Sequence, residues 1–176
     1  MTELFKKLKY KDRMAQHDFY KQFSVLIFRL VYRYVSNEQD AGSIVNGAFY
    51  KMFSNISNFE YKDQVSMLAW MKKIAVNEAL MFVRQKVHYI EMDDKVTNDL
   101  TIDVVPGDNL VIEDYYRLIM KLPVDLRTVF NLYAIEGYNH GEIAVMLNIS
   151  ESSSRVYLYR ARRLLQDYLL KTSHHG

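Results

Sequence analysis

The sequence predicts an all-α protein: two small helical domains joined by an acidic linker, the C-terminal one containing a helix-turn-helix. Three observations lead there. Six Gly and two Pro in 176 residues are too few for the frequent turns of an all-β chain. Apolar residues recur at spacings of three and four over long stretches, the period of a helix with one buried face. Charge is segregated: residues 1–90 carry fourteen Lys and Arg against eight acids (+6), residues 91–113 one Lys against seven acids (−6), and residues 114–176 eight against six (+2). Two basic blocks therefore flank an acidic connector. A composition 49% hydrophobic and 25% charged excludes disordered and collagen-like architectures.

The N-terminus, MTELFKKLKYKDR, is charged throughout and lacks the apolar core of a signal peptide. A first helix is expected over residues 18–35, where Phe19, Phe23, Leu26, Ile27, Leu30 and Tyr34 make one stripe and Arg29 and Arg33 fall between them. Ser36 and Asn37 can break it and cap its successor. From Asp40 to the Ser57-Asn58 pair, the set Ile44, Val45, Ala48, Phe49, Met52, Phe53 and Ile56 makes a wide apolar face and a second helix. Residues 58–66 are polar, with two aromatics and no period, and are expected to form a loop. A third helix follows over residues 67–88, its stripe Leu68, Met71, Ile74, Ala75, Glu78 and Phe82, with Lys72, Lys73, Arg84 and Lys86 leaving the remaining surface positive. These elements constitute a first domain, residues 1–89.

Residues 90–112 are acidic, contain Pro106-Gly107 and scatter their apolar positions; a stretch of this kind is unusual inside a compact domain and is expected to be the linker. The second domain spans residues 113–176. Asn139 followed by Glu142 is a capping-box pattern, Ile143, Ala144 and Leu147 make a short apolar face, and Asn148 suits the left-handed backbone of a tight turn. Ser150 then caps a long helix with Ser154, Leu158, Ala161 and Leu165 on one stripe. Small residues at Ala144 and Ser154 permit a close crossing. Ser152, Ser153, Arg155, Val156, Tyr159 and Arg160 are left outward, with Arg163 beyond them. Such a layout is that of a helix-turn-helix whose second helix offers its early residues to base edges. Arg can pair with guanine or phosphate, Ser with either, and Val or Tyr can touch a thymine methyl. The competing reading is a helical hairpin with a solvated basic face.

Other classes of function find little support. With no Cys, disulfides, thiolate zinc sites and Cys nucleophiles are excluded, as suits a reducing compartment. The best apolar run, residues 25–28, is stopped by Arg29 and Arg33, far short of the ~20 residues a bilayer span requires. No phosphate-cradling glycine loop, G-x-S-x-G elbow or H-E-x-x-H pair occurs. Of His17, His88, His140, His174 and His175 only the last two are adjacent, at a terminus where a frayed tail is a better reading than a weak metal site, and Asp93-Asp94 fall in the linker, where solvent keeps both ionised. The expectation is a cytoplasmic protein that is not an enzyme and needs neither cofactor nor metal.

Leu122-Pro123, Arg127, Phe130, Leu132, Glu136-Gly137-Tyr138, Glu142-Ile143-Ala144, Leu147, Ile149-Ser150, Arg155, Leu158 and Arg160-Ala161-Arg162 together resemble region four of bacterial sigma factors of the extracytoplasmic-function type. The N-terminal half resembles region two of the same family. Asp40-Ala41, Val45, Phe49 and Phe53 match its acidic, apolar helix, and Trp70-Met71, Ile74-Ala75, Asn77 and Arg84 match the tryptophan-to-arginine helix that follows.

The resemblance implies a promoter-specificity subunit that binds core RNA polymerase and promoter DNA, is nucleoid-associated when bound to polymerase, and often answers to an anti-sigma factor. It assigns the minus-thirty-five element to Ser152, Ser153, Arg155, Val156, Tyr159 and Arg160. To the minus-ten element it assigns Phe59, Tyr61 and Lys62 in the loop and Trp70, Lys73 and Asn77 on the helix. Trp70 has a packing reading as well, Phe59 can cap helix ends, Asn77 can be a buried polar group, and Lys73 and Arg84 can be solubilising charge. Candidate polymerase contacts are Asp40, Asn46, Phe49 and Lys51. Where the family has further acids and a Gln-Glu pair facing polymerase, this chain has Gly42, Ser43, Asn46 and Gly47; Met81 replaces a common Asp, and Ser154 a common Val. The alternatives are a stand-alone helix-turn-helix regulator and a helical interaction module without a nucleic-acid role. The linker's −6 can also mimic nucleic acid, folding back on the basic domains or entering a positive channel.

Overall fold

The computed structural model describes residues 1–91 and 110–173, with side chains over 1–85 and 115–170. Among these residues all regular structure is helical. The expected linker lies for the most part outside the described residues, as do His174 and His175. The chain clusters into two units, Met1–Val87 and His88–Gly176.

The first unit contains α1 (Thr2–Lys9), α2 (Arg13–Val35), α3 (Glu38–Asn55) and most of α4 (Gln64–Glu91). α2 starts five residues earlier than its stripe suggests, because Asp12 Oδ1 accepts the Ala15 N–H at 2.8 Å and Ala15 extends the buried face. That face continues through Phe19, Phe23, Ile27, Leu30, Val31 and Tyr34, whereas Leu26 is exposed at its margin. Ser36, with φ +58°, stops the helix and returns its N–H to the Tyr32 carbonyl. Asn37 Oδ1 then accepts the Asp40 N–H at 2.9 Å and starts α3.

α3 buries Ala41, Ile44, Val45, Ala48, Phe49 and Met52, then tightens into a 3₁₀ turn at Ile56–Asn58. α4 begins at Gln64, three residues earlier than expected. Asp63 Oδ1 accepts the Ser66 N–H at 2.7 Å, and the hydrogen bonds from Ser66 hold this carboxyl below its ordinary range. Met67, Met71, Ala75, Val76, Ala79, Leu80 and Val83 are buried, a wider face than the sequence stripe. Glu78 belongs to that stripe with only 12% of its side chain exposed, and the Lys51 ammonium donates to its Oε1.

α1 is the element that the sequence reading lacked. Its Phe5 and Leu8 are buried, and the Phe5 ring meets Phe19 edge-on at 5.8 Å, Phe59 at 5.6 Å and Tyr61 in a stack at 4.8 Å. A helix of eight residues gives two turns of pattern, too few for periodicity to stand out among three lysines.

The second unit contains α5 (Leu110–Met120), α6 (Val124–Phe130), α7 (His140–Leu147) and α8 (Glu151–Ser173). α6 and α7 pack on α8. The core comprises Leu118, Ile119, Met120, Leu122, Val129, Leu132, Ile143, Leu158 and Ala161. Arg127 is buried and donates from Nη1 to the Met120 carbonyl at 3.0 Å, fastening α6 to the end of α5. α6 runs into a π turn at Asn131–Ile135, closed by the Glu136 N–H on the Asn131 carbonyl at 2.9 Å. Gly137, at φ +83°, then turns the chain towards α7 through a conformation that side chains resist.

Phe5→Ala is expected to lower the stability of the first unit by about 3 kcal/mol or more, seen as an earlier urea midpoint in the fluorescence of Trp70, the single tryptophan. A Cβ on Gly42 meets nothing within 4 Å. Gly42→Ala should therefore raise stability by roughly 0.5–1 kcal/mol in the same titration, through helix propensity alone.

Candidate nucleic-acid interface

In the C-terminal unit, local hydrogen bonds define where α7 and α8 begin. Asn139 Oδ1 accepts the Glu142 N–H at 2.9 Å while Glu142 Oε2 accepts the Asn139 N–H at 2.8 Å, a complete capping box. Asn148 takes the left-handed conformation at φ +54°. Ser150 Oγ accepts the Ser153 N–H at 3.0 Å, capping α8. Ser154, Leu158 and Ala161 are buried; Leu165, which shares their stripe, is half-buried.

Outward of that stripe, Ser152, Arg155, Val156, Tyr159 and Arg160 are all exposed. Their spacing of three, four, seven and eight puts them on one face of α8. Ser153 sits at its edge, half-buried and tied to Ser150. Arg155 Nη2 bonds Glu151 Oε2 at 2.8 Å, but both side chains are more than half exposed, so the pair contributes only a few tenths of a kcal/mol and yields readily to a stronger anion.

His140 and Ser154 are a pair that the pattern did not reveal. His140 Nδ1 lies 2.9 Å from Ser154 Oγ, and the imidazole stacks on Tyr133 at 4.6 Å. Arg162 in turn lies over Tyr133, 5.7 Å from the ring centroid. Burial, then the nearby Arg155 charge, pushes the His140 pKa below that of free imidazole. The departure at Ser154 is thereby matched: a hydroxyl replaces an aliphatic side chain where a ring nitrogen meets it. A Cβ on Gly141 would come to 3.2 Å from Asn139 Oδ1 and from Glu151 Oε1, so the start of α7 approaches α8 closely. A polar residue spaced fourteen positions from a histidine was the available signal, and it is weak without the fold.

In the N-terminal unit, Phe59 stacks on Trp70 with centroids 4.4 Å apart and planes 22° from parallel. Phe59, Tyr61 and Trp70 are half-buried, and Lys62, Lys73 and Asn77 are exposed. Trp70 is therefore neither a fully buried core residue nor a free platform, and Asn77 is not a buried polar group. Trp70, Lys73 and Asn77 lie at spacings of three and seven, on one face of α4. The fold brings the loop candidate Phe59 and the helix candidate Trp70 into contact, and a base stacking between them has to part the two rings.

The α3 candidates divide differently. Asn46 is exposed and accepts the Tyr20 hydroxyl at 3.0 Å. Lys51 is occupied by Glu78, and Asp40 is half-buried in the first turn. Phe49 is a correction: at 2% exposure it is core, its ring 4.7 Å from Tyr20 and 6.2 Å from Phe19. It sits on the apolar stripe, and a buried ring offers no surface to a partner.

Among the described residues no helix is long and apolar enough to cross a membrane. Two family models match the chain: Sigma-70 region 2 over residues 19–88 and Sigma-70, region 4 over residues 112–165. Among curated relatives, "ECF RNA polymerase sigma factor SigW" of Bacillus subtilis is 28% identical, with 93% of this chain and 94% of that one covered. "ECF RNA polymerase sigma factor SigE" of Mycolicibacterium smegmatis is 27% identical over 87% of this chain, but this chain spans only 61% of its length. Among solved structures, the sigma factor RpoE in complex with the anti-sigma factor NepR from Bartonella quintana aligns with a TM-score of 0.56 at 20% identity, covering 86% of this chain and 96% of that one. CnrH in complex with the cytosolic domain of CnrY aligns with a TM-score of 0.50 at 18% identity, covering 94% of each. At such identities the two structures speak to the fold alone.

Since the folded unit holds His140 below the ~6.5 of free imidazole, the unfolded chain takes up the proton first as pH falls. The stability of the C-terminal unit is then fully present above that value and declines as pH drops below it towards the folded pKa. Thermal melts by circular dichroism between pH 7.5 and 5 should show this decline. His140→Gln, which cannot charge, should flatten it relative to the unsubstituted chain.

Proposed function

The chain belongs to the sigma-70 family, in its extracytoplasmic-function branch, and from that membership we infer a promoter-specificity subunit that binds core RNA polymerase and directs it to minus-thirty-five and minus-ten elements. One observation carries the reading: regions two and four occur on a single chain, in order, over residues 19–88 and 112–165. A stand-alone helix-turn-helix regulator has no use for region two.

The recognition face of α8 suits the major groove. Arg155 and Arg160 can each pair with a guanine edge or a phosphate, Ser152 and Ser153 can bond either, and Val156 and Tyr159 supply apolar contact for thymine methyls. Tyr159 in particular is 62% exposed. For the minus-ten element, the Phe59, Tyr61 and Trp70 rings offer stacking to an unpaired base, Lys62 and Lys73 offer phosphate contacts, and Asn77 offers an amide to a base edge. Stacking contributes roughly 1–3 kcal/mol per base, which offsets unpairing, so melting needs binding alone. No bond is made or broken by this chain. It acts as an initiation factor in the cytoplasm.

Asp40, Asn46 and Lys51 remain the proposed polymerase contacts. The solved sigma factor RpoE held by the anti-sigma factor NepR supports the proposal that this chain also has an inhibitory protein partner.

Run-off transcription from a genomic fragment library with reconstituted core enzyme tests the reading. Specific transcripts should appear only when the chain is added, and Arg160→Ala should reduce them roughly 5- to 150-fold, the worth of one bidentate base contact. Transcripts indifferent to the chain, or footprints made by the chain without polymerase, would favour the stand-alone regulator instead.

A further inference from the structure

Residues 1–18 precede the segment that the region-two model matches, yet α1 is packed into the unit through Phe5 and Leu8. What it presents outward is charge. Lys6, Lys7 and Lys9 on α1, Lys11 in the turn and Arg13 opening α2 are all exposed. Against these five cations, residues 3–13 hold two acids, and both are engaged locally. Glu3 lies 3.7 Å from Lys6, and Asp12 caps α2 at Ala15.

The turn is also fixed in shape. Lys11 sits at φ +58°, its N–H on the Leu8 carbonyl at 2.9 Å, and the Asp12 N–H reaches back to the Lys7 carbonyl at 3.1 Å. Tyr10 stands between Lys9 and Lys11 with 88% of its surface exposed. An aromatic ring so exposed, flanked by lysines on a rigid turn, combines a stacking face with cations for phosphate, the pairing that single-stranded nucleic acid recognises. Position matters as much as charge: Phe5 touches both Phe59 and Tyr61, and at 1.5 Å per residue Tyr10 lies only about 7–8 Å further along the chain direction.

We propose that α1 and its turn form a binding site for the phosphate backbone of DNA next to the minus-ten loop, with Lys7, Lys9, Lys11 and Arg13 holding phosphates and Tyr10 stacking on an unpaired base. The proposal rests on the promoter-subunit reading for its DNA and extends the contact surface beyond the matched region. Charge selects the occupant: a polyanion answers the local excess of three positive charges, which an apolar or basic partner does not. α1 thereby has two faces with two tasks, since Phe5 props the loop aromatics while the lysines hold the strand.

The test is the salt dependence of holoenzyme binding to a promoter fragment premelted across the minus-ten segment, using Lys7→Gln, Lys9→Gln and Lys11→Asn combined; Asn tolerates the left-handed position. Each lost phosphate contact removes about 0.7 from the slope of log affinity against log salt on single-stranded DNA, so the slope should fall by about 2. Tyr10→Ala should weaken binding roughly 5- to 150-fold, with Tyr10→Phe retaining it. Unchanged circular dichroism shows that the exposed substitutions leave the helices intact. An unchanged slope with wild-type transcription overturns the proposal and leaves the promoter-subunit reading standing. Weaker binding of the variant to core polymerase, with the DNA slope unaltered, also overturns it by making the turn a protein contact. Should wild-type holoenzyme fail to initiate at all, the promoter-subunit reading falls. In that case the free chain and its variant are compared on a 20-nucleotide single-stranded oligonucleotide, where equal affinities overturn the basic turn as well.

Discussion

A helix that reads DNA has to be held rigidly by one side while the other is left without partners, and the buried stripe of Ser154, Leu158 and Ala161 on α8 meets that constraint. Two of these three side chains are small, so burial comes from close approach more than from bulk. Close approach in turn needs Gly141 at the start of α7 and a polar match for the Ser154 hydroxyl, which His140 provides. α7 and α8 are therefore joined by a hydroxyl–imidazole contact that is specific in direction where an aliphatic contact would slide.

The N-terminal unit solves a different problem, that of keeping a loop of aromatic residues in order. Phe59 and Tyr61 lie in a segment with little hydrogen bonding of its own, between a 3₁₀ turn and the Asp63 cap. Ring contacts replace that bonding: Tyr61 on Phe5, Phe5 on Phe59, Phe59 on Trp70. Such contacts contribute about 0.5–1.5 kcal/mol each beyond burial, enough to define a conformation for the loop. The same seam anchors α1, which explains why a short helix rich in lysine is folded at all.

Acids in both units are used near at hand, which leaves the cations outside. Asp12 and Asp63 cap helices, Glu142 closes a capping box, Glu78 takes Lys51, and Glu3 and Glu151 pair with Lys6 and Arg155 at helical spacing. The exposed pairs contribute little to stability. Their consequence is electrostatic: part of the negative charge is taken up at short range, while Lys7, Lys9, Lys62, Lys73 and Arg160 stay exposed to solvent.

The sequence by itself determined the helical class, the stripes of α2 and α3, the capping box at Asn139, the left-handed Asn148 and the exposed set on α8. All of these depend on residues within one or two helical turns, so periodicity and capping chemistry carry them. The tertiary structure alone decided the rest. Phe49 lay on the expected apolar stripe, but that Phe19 and Tyr20 of α2 enclose it was decided by packing, and Glu78 stood in an apolar stripe until Lys51 came across from α3. α1 is too short for its period to register, and its burial exists only because Phe19, Phe59 and Tyr61, fourteen to fifty-six positions away in the chain, converge on Phe5. Helix stripes are properties of near neighbours, whereas the partner of a ring or a charge is chosen by packing across the fold.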